Sequence, residues 1–215
     1  MRFRGDSTGR IIPAVNRKNA FLAAALLLGI GTAAAHPMGN FSISRWTKLT
    51  VRAGGVDLVH LIDFAEVPTQ VEFAVARLTQ EPKGQAAERF RDALAGRYQP
   101  GLHLETGGKR VPLTLTKASL EFVSGTAGLP TVRLTLDLAA PLPAGDSDLS
   151  FSDTNFEGRA GWKEIVAAAA NGATLLSSSV PAADRSRMLT SYPSDPAEPP
   201  SEVTSARLRV RIPGV

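Results

Sequence analysis

From residue 41 onward the chain alternates apolar and polar side chains in short runs. In 41–52 (FSISRWTKLTVR), Phe41, Ile43, Leu49 and Val51 share one parity, and the alternation breaks around Arg45-Trp46. This pattern predicts a strand with one half-buried face. Ala53-Gly54-Gly55 supplies a turn, and 56–63 (VDLVHLID) predicts the second arm of a hairpin. On that arm Val56, Leu58, His60 and Ile62 share one face, while Asp57, Val59, Leu61 and Asp63 share the other. Beyond Pro68, 69–79 (TQVEFAVARLT) fits strand and helix equally. In 84–97 (GQAAERFRDALAGR), Phe90 and Leu94 stand at i, i+4 among good helix formers, which predicts a helix ended by Gly96 or by Pro100-Gly101.

Strand-like runs then return at 102–106, 111–123, 131–138, 149–153, 162–169, 173–180 and 203–212, separated by Gly, Pro and Asp. Such spacing predicts a mainly β fold: an antiparallel β-sandwich (Ig-like) with a helical insertion near residues 82–97. In the last run Arg207, Arg209 and Arg211 alternate with Leu208, Val210 and Ile212, so one face is expected to be wet. Residues 193–200 carry four prolines and read as a surface loop.

Residues 1–35 have a different texture. A basic stretch (Arg2, Arg4, Arg10, Arg17, Lys18) precedes an uncharged segment, with an apolar core over 20–30 and small residues at Ala33 and Ala35. This is the layout of a cleavable export signal, and its apolar core is short for a membrane span of ~20 residues. The expected organisation is a signal over 1–35 and a single extracytoplasmic domain over 36–215, located in the periplasm or outside the cytoplasm. Five of the 24 basic and one of the 20 acidic side chains lie in 1–35, so the remaining 180 residues hold 19 of each. The basic pI of about 9.8 therefore belongs to the signal, and no nucleic-acid partner is implied. With no cysteine in the chain, burial rather than disulfides must hold the exported fold.

Cleavage after Ala35 makes His36 the mature N-terminus, where one residue offers an α-amine and an imidazole to a divalent transition metal (nickel, cobalt or copper). The amine has a reference pKa near 7.7–8.0, so a metal can displace its proton at neutral pH. Pro37 has no backbone N–H, so further ligands must come from elsewhere in the fold. The candidates are Asp63 and Glu66, three apart at a strand end, and His60. Each also has a structural reading: the two acids as turn caps paired with arginines, and His60 as a packed core histidine. His103 has no partner spacing. A second constellation, Asp153, Asn155, Arg159, Trp162 and Glu164, reads mainly as architecture, with Arg159 bridging acids and Trp162 buried. It also offers Arg159 and Glu164 to a partner. No cysteine nucleophile, G-x-S-x-G elbow, H-E-x-x-H pair or phosphate-cradling loop is present, so neither an enzyme nor a small organic substrate is indicated.

Four blocks carry a family resemblance. They are His36-Pro37-Met38-Gly39-Asn40-Phe41-Ser42, then Asp63-Phe64-Ala65-Glu66-Val67-Pro68-Thr69, then Asp153-Thr154-Asn155 with Arg159-Ala160-Gly161-Trp162-Lys163-Glu164, and finally Leu189-Thr190-Ser191-Tyr192-Pro193-Ser194-Asp195. In this order they resemble the extracytoplasmic N-terminal domain found ahead of nickel/cobalt exporter membrane domains. The resemblance implies an accessory or sensor role in transition-metal efflux, with a membrane exporter subunit as partner. That family's pattern continues into a linker and membrane helices, which are expected on a separate polypeptide or lost from a shortened form. His60 departs from it, since an apolar or aromatic residue is expected there. Three rival readings remain open: a periplasmic copper carrier of β-sandwich type, a non-metal protein-interaction domain, and an N-terminal-histidine copper oxygenase using His60 or His103.

Overall fold

The coordinates are a computed structural model that describes residues 39–125, 128–192 and 199–214. The expected signal over 1–35, His36 and most of the proline-rich loop lie outside the described residues. The domain is mainly β, with two five-stranded, antiparallel-rich sheets and two helices.

The predicted hairpin forms as β1 (Ile43–Arg52) and β2 (Gly55–Phe64), paired antiparallel along their whole length. Two helices follow, α1 (Glu66–Val75) and α2 (Gln85–Tyr98). Of the ambiguous stretch 69–79, residues 69–75 are helical and 76–79 are turn and coil, and the helix expected over 84–97 appears one residue later. Next come β3 (Leu102–Thr106), β4 (Lys109–Val111), β5 (Thr114–Ser124) and β6 (Pro130–Pro141). The chain ends with β7 (Gly145–Asp153), β8 (Lys163–Ala169), β9 (Thr174–Ser178) and β10 (Ser205–Ile212). The first sheet has the order β5-β6-β2-β1-β8 and the second β4-β3-β7-β10-β9. Among the strand pairs of the described residues, β1 with β8 is the parallel one. The run 111–123, expected as one strand, splits at Pro112-Leu113 into strands of different sheets. Proline lacks the N–H a continuous ladder needs.

One core joins both sheets. Leu49, Val51, Leu58, Ile62 and Phe64 of the hairpin and Leu134, Leu136 and Leu138 of β6 face Leu104, Leu149, Phe151, Leu208 and Val210 of the second sheet. Strand alternation places these residues on two inner faces, and burying them supplies most of the driving force. β10 reads exposed and buried in strict turn, with its arginines outward as expected. α1 and α2 close the open side near β5 through Phe73, Phe90 and Phe122, whose ring centroids lie 5.5–6.5 Å apart.

The outer face of the first sheet is also covered, which the alternation of β1 does not show. Trp46, Leu61, Trp162, Val166 and Leu189 form a second, smaller core there. Glu164 holds its lid in place by accepting from Trp162 Nε1 at 2.8 Å and from the Arg185 and Ser186 amides at 2.7 and 3.2 Å. The first half of β1, through Thr47, therefore has two buried faces rather than one, which is why its pattern breaks at Trp46. Phe41 corrects the opposite way. Its parity predicts burial, yet it is 70% exposed, because residues 39–42 form a turn closed by Ser42 N–H on the Gly39 carbonyl and the strand starts only at Ile43.

Candidate functional site

Two polar constellations stand on opposite faces of the first sheet. The inner one begins with three residues at core parity, Arg45 and Thr47 on β1 and His60 on β2, met from the second sheet by Asp153 at the end of β7. Arg45 Nη1 donates to Asp153 Oδ2 at 2.7 Å and to the Asn155 carbonyl. Asp153 Oδ1 accepts from the Asn155 amide and from Asn155 Nδ2, both at 2.9 Å. His60 Nδ1 lies 2.9 Å from Thr47 Oγ1, and its Nε2 stands 4.0 Å from Asp153 Oδ2, beyond hydrogen-bond range. Arg45, Thr47, His60 and Asp153 are all buried, and Asn155 is half-buried. Burial holds the Arg45 pKa below its ordinary value although Asp153 pulls it up. Desolvation drives His60 down to about 4, so its ring is neutral at pH 7.

The loop after β7 is drawn into the same end of the domain. Asn155 Nδ2 donates to the Tyr98 carbonyl at 2.9 Å, and Phe156 packs at a tilt against Tyr98 and edge-on against Phe64, with Arg45 over its ring. Trp162 and Glu164 are buried in the outer lid, whereas Arg159 is exposed. The arginine paired with an acid at this end is Arg45, which binds Asp153 and the Asn155 carbonyl. A cleft of about 340 Å³ opens here between 152–158 and 201–205, lined by Arg45, Asp153, Asn155, Lys163 and Glu202.

The outer constellation is the corner between β2 and α1. Asn40 accepts from the Val67 amide at 3.0 Å and Ser42 from the Ala65 amide at 3.1 Å, so the head of the described chain is pinned across this corner. Gly161 backs the same segment: its φ is +144°, and a Cβ there would stand 2.2 Å from the Ile43 carbonyl oxygen. Glu66, 1% exposed, opens α1 and lies against the Gly125 backbone, where a Cβ would come within 2.6 Å of Oε1. Asp63 lies on the outer face, 3.2 Å from Arg133 Nη2. Thr69 fixes the corner from behind by donating to the Phe64 carbonyl and accepting from the Val132 amide, each at 3.1 Å.

Asp63 and Glu66 are thus at one corner, but His60 is not with them. Residues 60 and 63 differ by an odd number on one strand, so they point to opposite faces, and His60 is sealed in the core. His103 stands apart beside Thr154. Among the described residues no three His, Cys, Asp or Glu side chains gather as a metal-ligand set. The sequence reading missed Arg45, Thr47 and Arg133. It also missed Glu72, which ties α1 to α2 by accepting from Tyr98 Oη and Arg97 Nη1. A signal for the first two was present: charged and hydroxyl residues at core parity on a strand demand a buried partner. No family model matches the chain, and no curated protein matches it in sequence.

Proposed function

We propose that this chain is an exported, non-enzymatic domain on an Ig-like sandwich scaffold that assists nickel/cobalt efflux beside a membrane exporter subunit. In this reading the cargo metal is chelated at the mature N-terminus by the His36 amine and imidazole, with Glu66 as the carboxylate closest to hand. Beyond the family resemblance, the observation that carries the reading is the pinning of Asn40 and Ser42 onto the Ala65–Val67 backbone. Four residue steps separate His36 from the pinned Asn40, at most about 14 Å of chain, and this favours a site at the corner that holds Glu66 and Asp63. Asp63, at the same corner, is the second candidate and is also engaged by Arg133 at 3.2 Å. His60 drops out of the ligand set because it faces the core.

Titration of Ni(II) and Co(II) into the exported protein and into Glu66→Gln tests the corner. The proposal expects the variant to bind roughly tenfold more weakly while unfolding at an unchanged temperature. Identical affinities would remove Glu66 from the site.

A further inference from the structure

Backbone edges are a hazard that folds usually manage, and this one manages three of its four. In the second sheet β4 has three residues and β9 five. In the first, the outward side of β8 is already bonded: Lys163 N–H to Ser201, Val203 N–H to Lys163, and Ala167 N–H to Pro181, at 2.8–3.0 Å. β5 is different. It runs for 11 residues, about 35 Å, contains no proline, and among the described residues pairs only with β6. Its inward row Leu115, Ala118, Leu120 and Phe122 is only half-buried, whereas Leu134 and Leu136 beside it are fully buried.

The outer face of this sheet carries charges in rows that alternate in sign across the strands. Asp63 of β2 stands opposite Arg133 of β6, which stands opposite Glu121 of β5. Two rungs away, Asp137 of β6 stands opposite Lys117 of β5. One row therefore ends at the open edge on a negative charge and the other on a positive one. Ser119 lies midway between them, and Lys117 and Glu121 are both exposed.

We propose that β5 is a self-association edge: a second copy adds its own β5 antiparallel, about a two-fold axis at Ser119. In that register Lys117 meets the partner's Glu121 and Glu121 meets the partner's Lys117, so both rows continue their alternation across the junction. On the inner face Leu120 meets the partner's Ala118, which covers part of the half-buried row. The register is self-complementary, as a two-fold interface requires. Because a two-fold at Ser119 sets 122–124 of each strand against 114–116 of the other, the kink between Leu115 and Lys117 limits regular pairing to residues 117–121 of both copies. This inference stands apart from the metal reading and uses none of its residues.

Sedimentation of the exported protein over a concentration series is expected to show a reversible monomer–dimer equilibrium. Lys117→Glu and Glu121→Lys each place like charges together twice per dimer, and each is expected to raise the dimer dissociation constant about tenfold or more. The double exchange restores opposite charges and is expected to recover the parent value within about threefold. Because the chain has no cysteine, Ser119→Cys gives an independent readout. It is expected to cross-link as a disulfide dimer much faster than Thr174→Cys on the β9 edge. A monomer at every concentration, a double exchange no better than the single ones, or equal cross-linking rates would each overturn the proposal.

Discussion

Two of the three aspartates on β7, Asp153 and Asp146, lie on opposite faces, and each of these two meets an arginine at 2.7 Å. Asp153 points inward to Arg45 of the other sheet, with side-chain exposures of 5% and 3%. Asp146 points outward to Arg211 of the neighbouring strand and is gripped by two guanidinium nitrogens, with exposures of 39% and 62%. The chemistry is the same and the consequences differ. Outside, water screens the pair and already solvates both ends, so such pairs contribute little. Inside, desolvation is costly enough to hold Arg45 below its ordinary pKa despite the attached carboxylate. The inner pair is therefore not a surplus of stability but a constraint. It stitches the two sheets in one register, and removing either partner strands the other without water.

The largest effect should come from breaking that constraint. Asp153→Ala is expected to lose about 3–5 kcal/mol in urea unfolding, because Arg45 keeps its buried charge without a counter-ion. The pH dependence follows next. His60 is depressed to about 4 in the folded protein from an unfolded value near 6.5. The unfolded chain thus binds more protons between these values, and stability falls as pH drops through this window. The loss, roughly 3 kcal/mol in full, is absent above pH 6.5. His60→Leu is expected to flatten that slope in denaturation measured from pH 7 to pH 4. Glu164→Ala should come third, with about 1–3 kcal/mol lost, since it leaves buried N–H donors of Trp162 and Ser186 without an acceptor. Faster proteolytic cleavage within 180–192 would report the freed lid. Asp146→Ala closes the series, with an expected midpoint indistinguishable from the parent.

What the chain shows in advance follows from how local each signal is. The hairpin, α2 and the wet face of β10 rest on periodicity within one element, so they can be read directly. The burial of Trp46 depends on a lid contributed some 140 residues later, through Glu164, Ser186 and Leu189, and no local pattern of β1 encodes that. Arg45, Thr47 and Asp153 fall between these cases. Their parity marks them as inward-facing polar groups, but their meeting depends on how two sheets pack. The site reading divides in the same way. Asp63 and Glu66 share a corner because they are close in sequence, while His60 is separated from them by the two-residue period of the strand that carries all but Glu66.

The proposed metal role comes down to the head of the mature chain. Calorimetric titration of Ni(II) should compare exported protein beginning at His36 with a form bearing one extra alanine before it. The amine–imidazole chelate exists only in the first, so the account predicts binding at least about tenfold tighter there, weakening as pH falls below the amine and imidazole pKa values. Equal affinity for the two forms would contradict it.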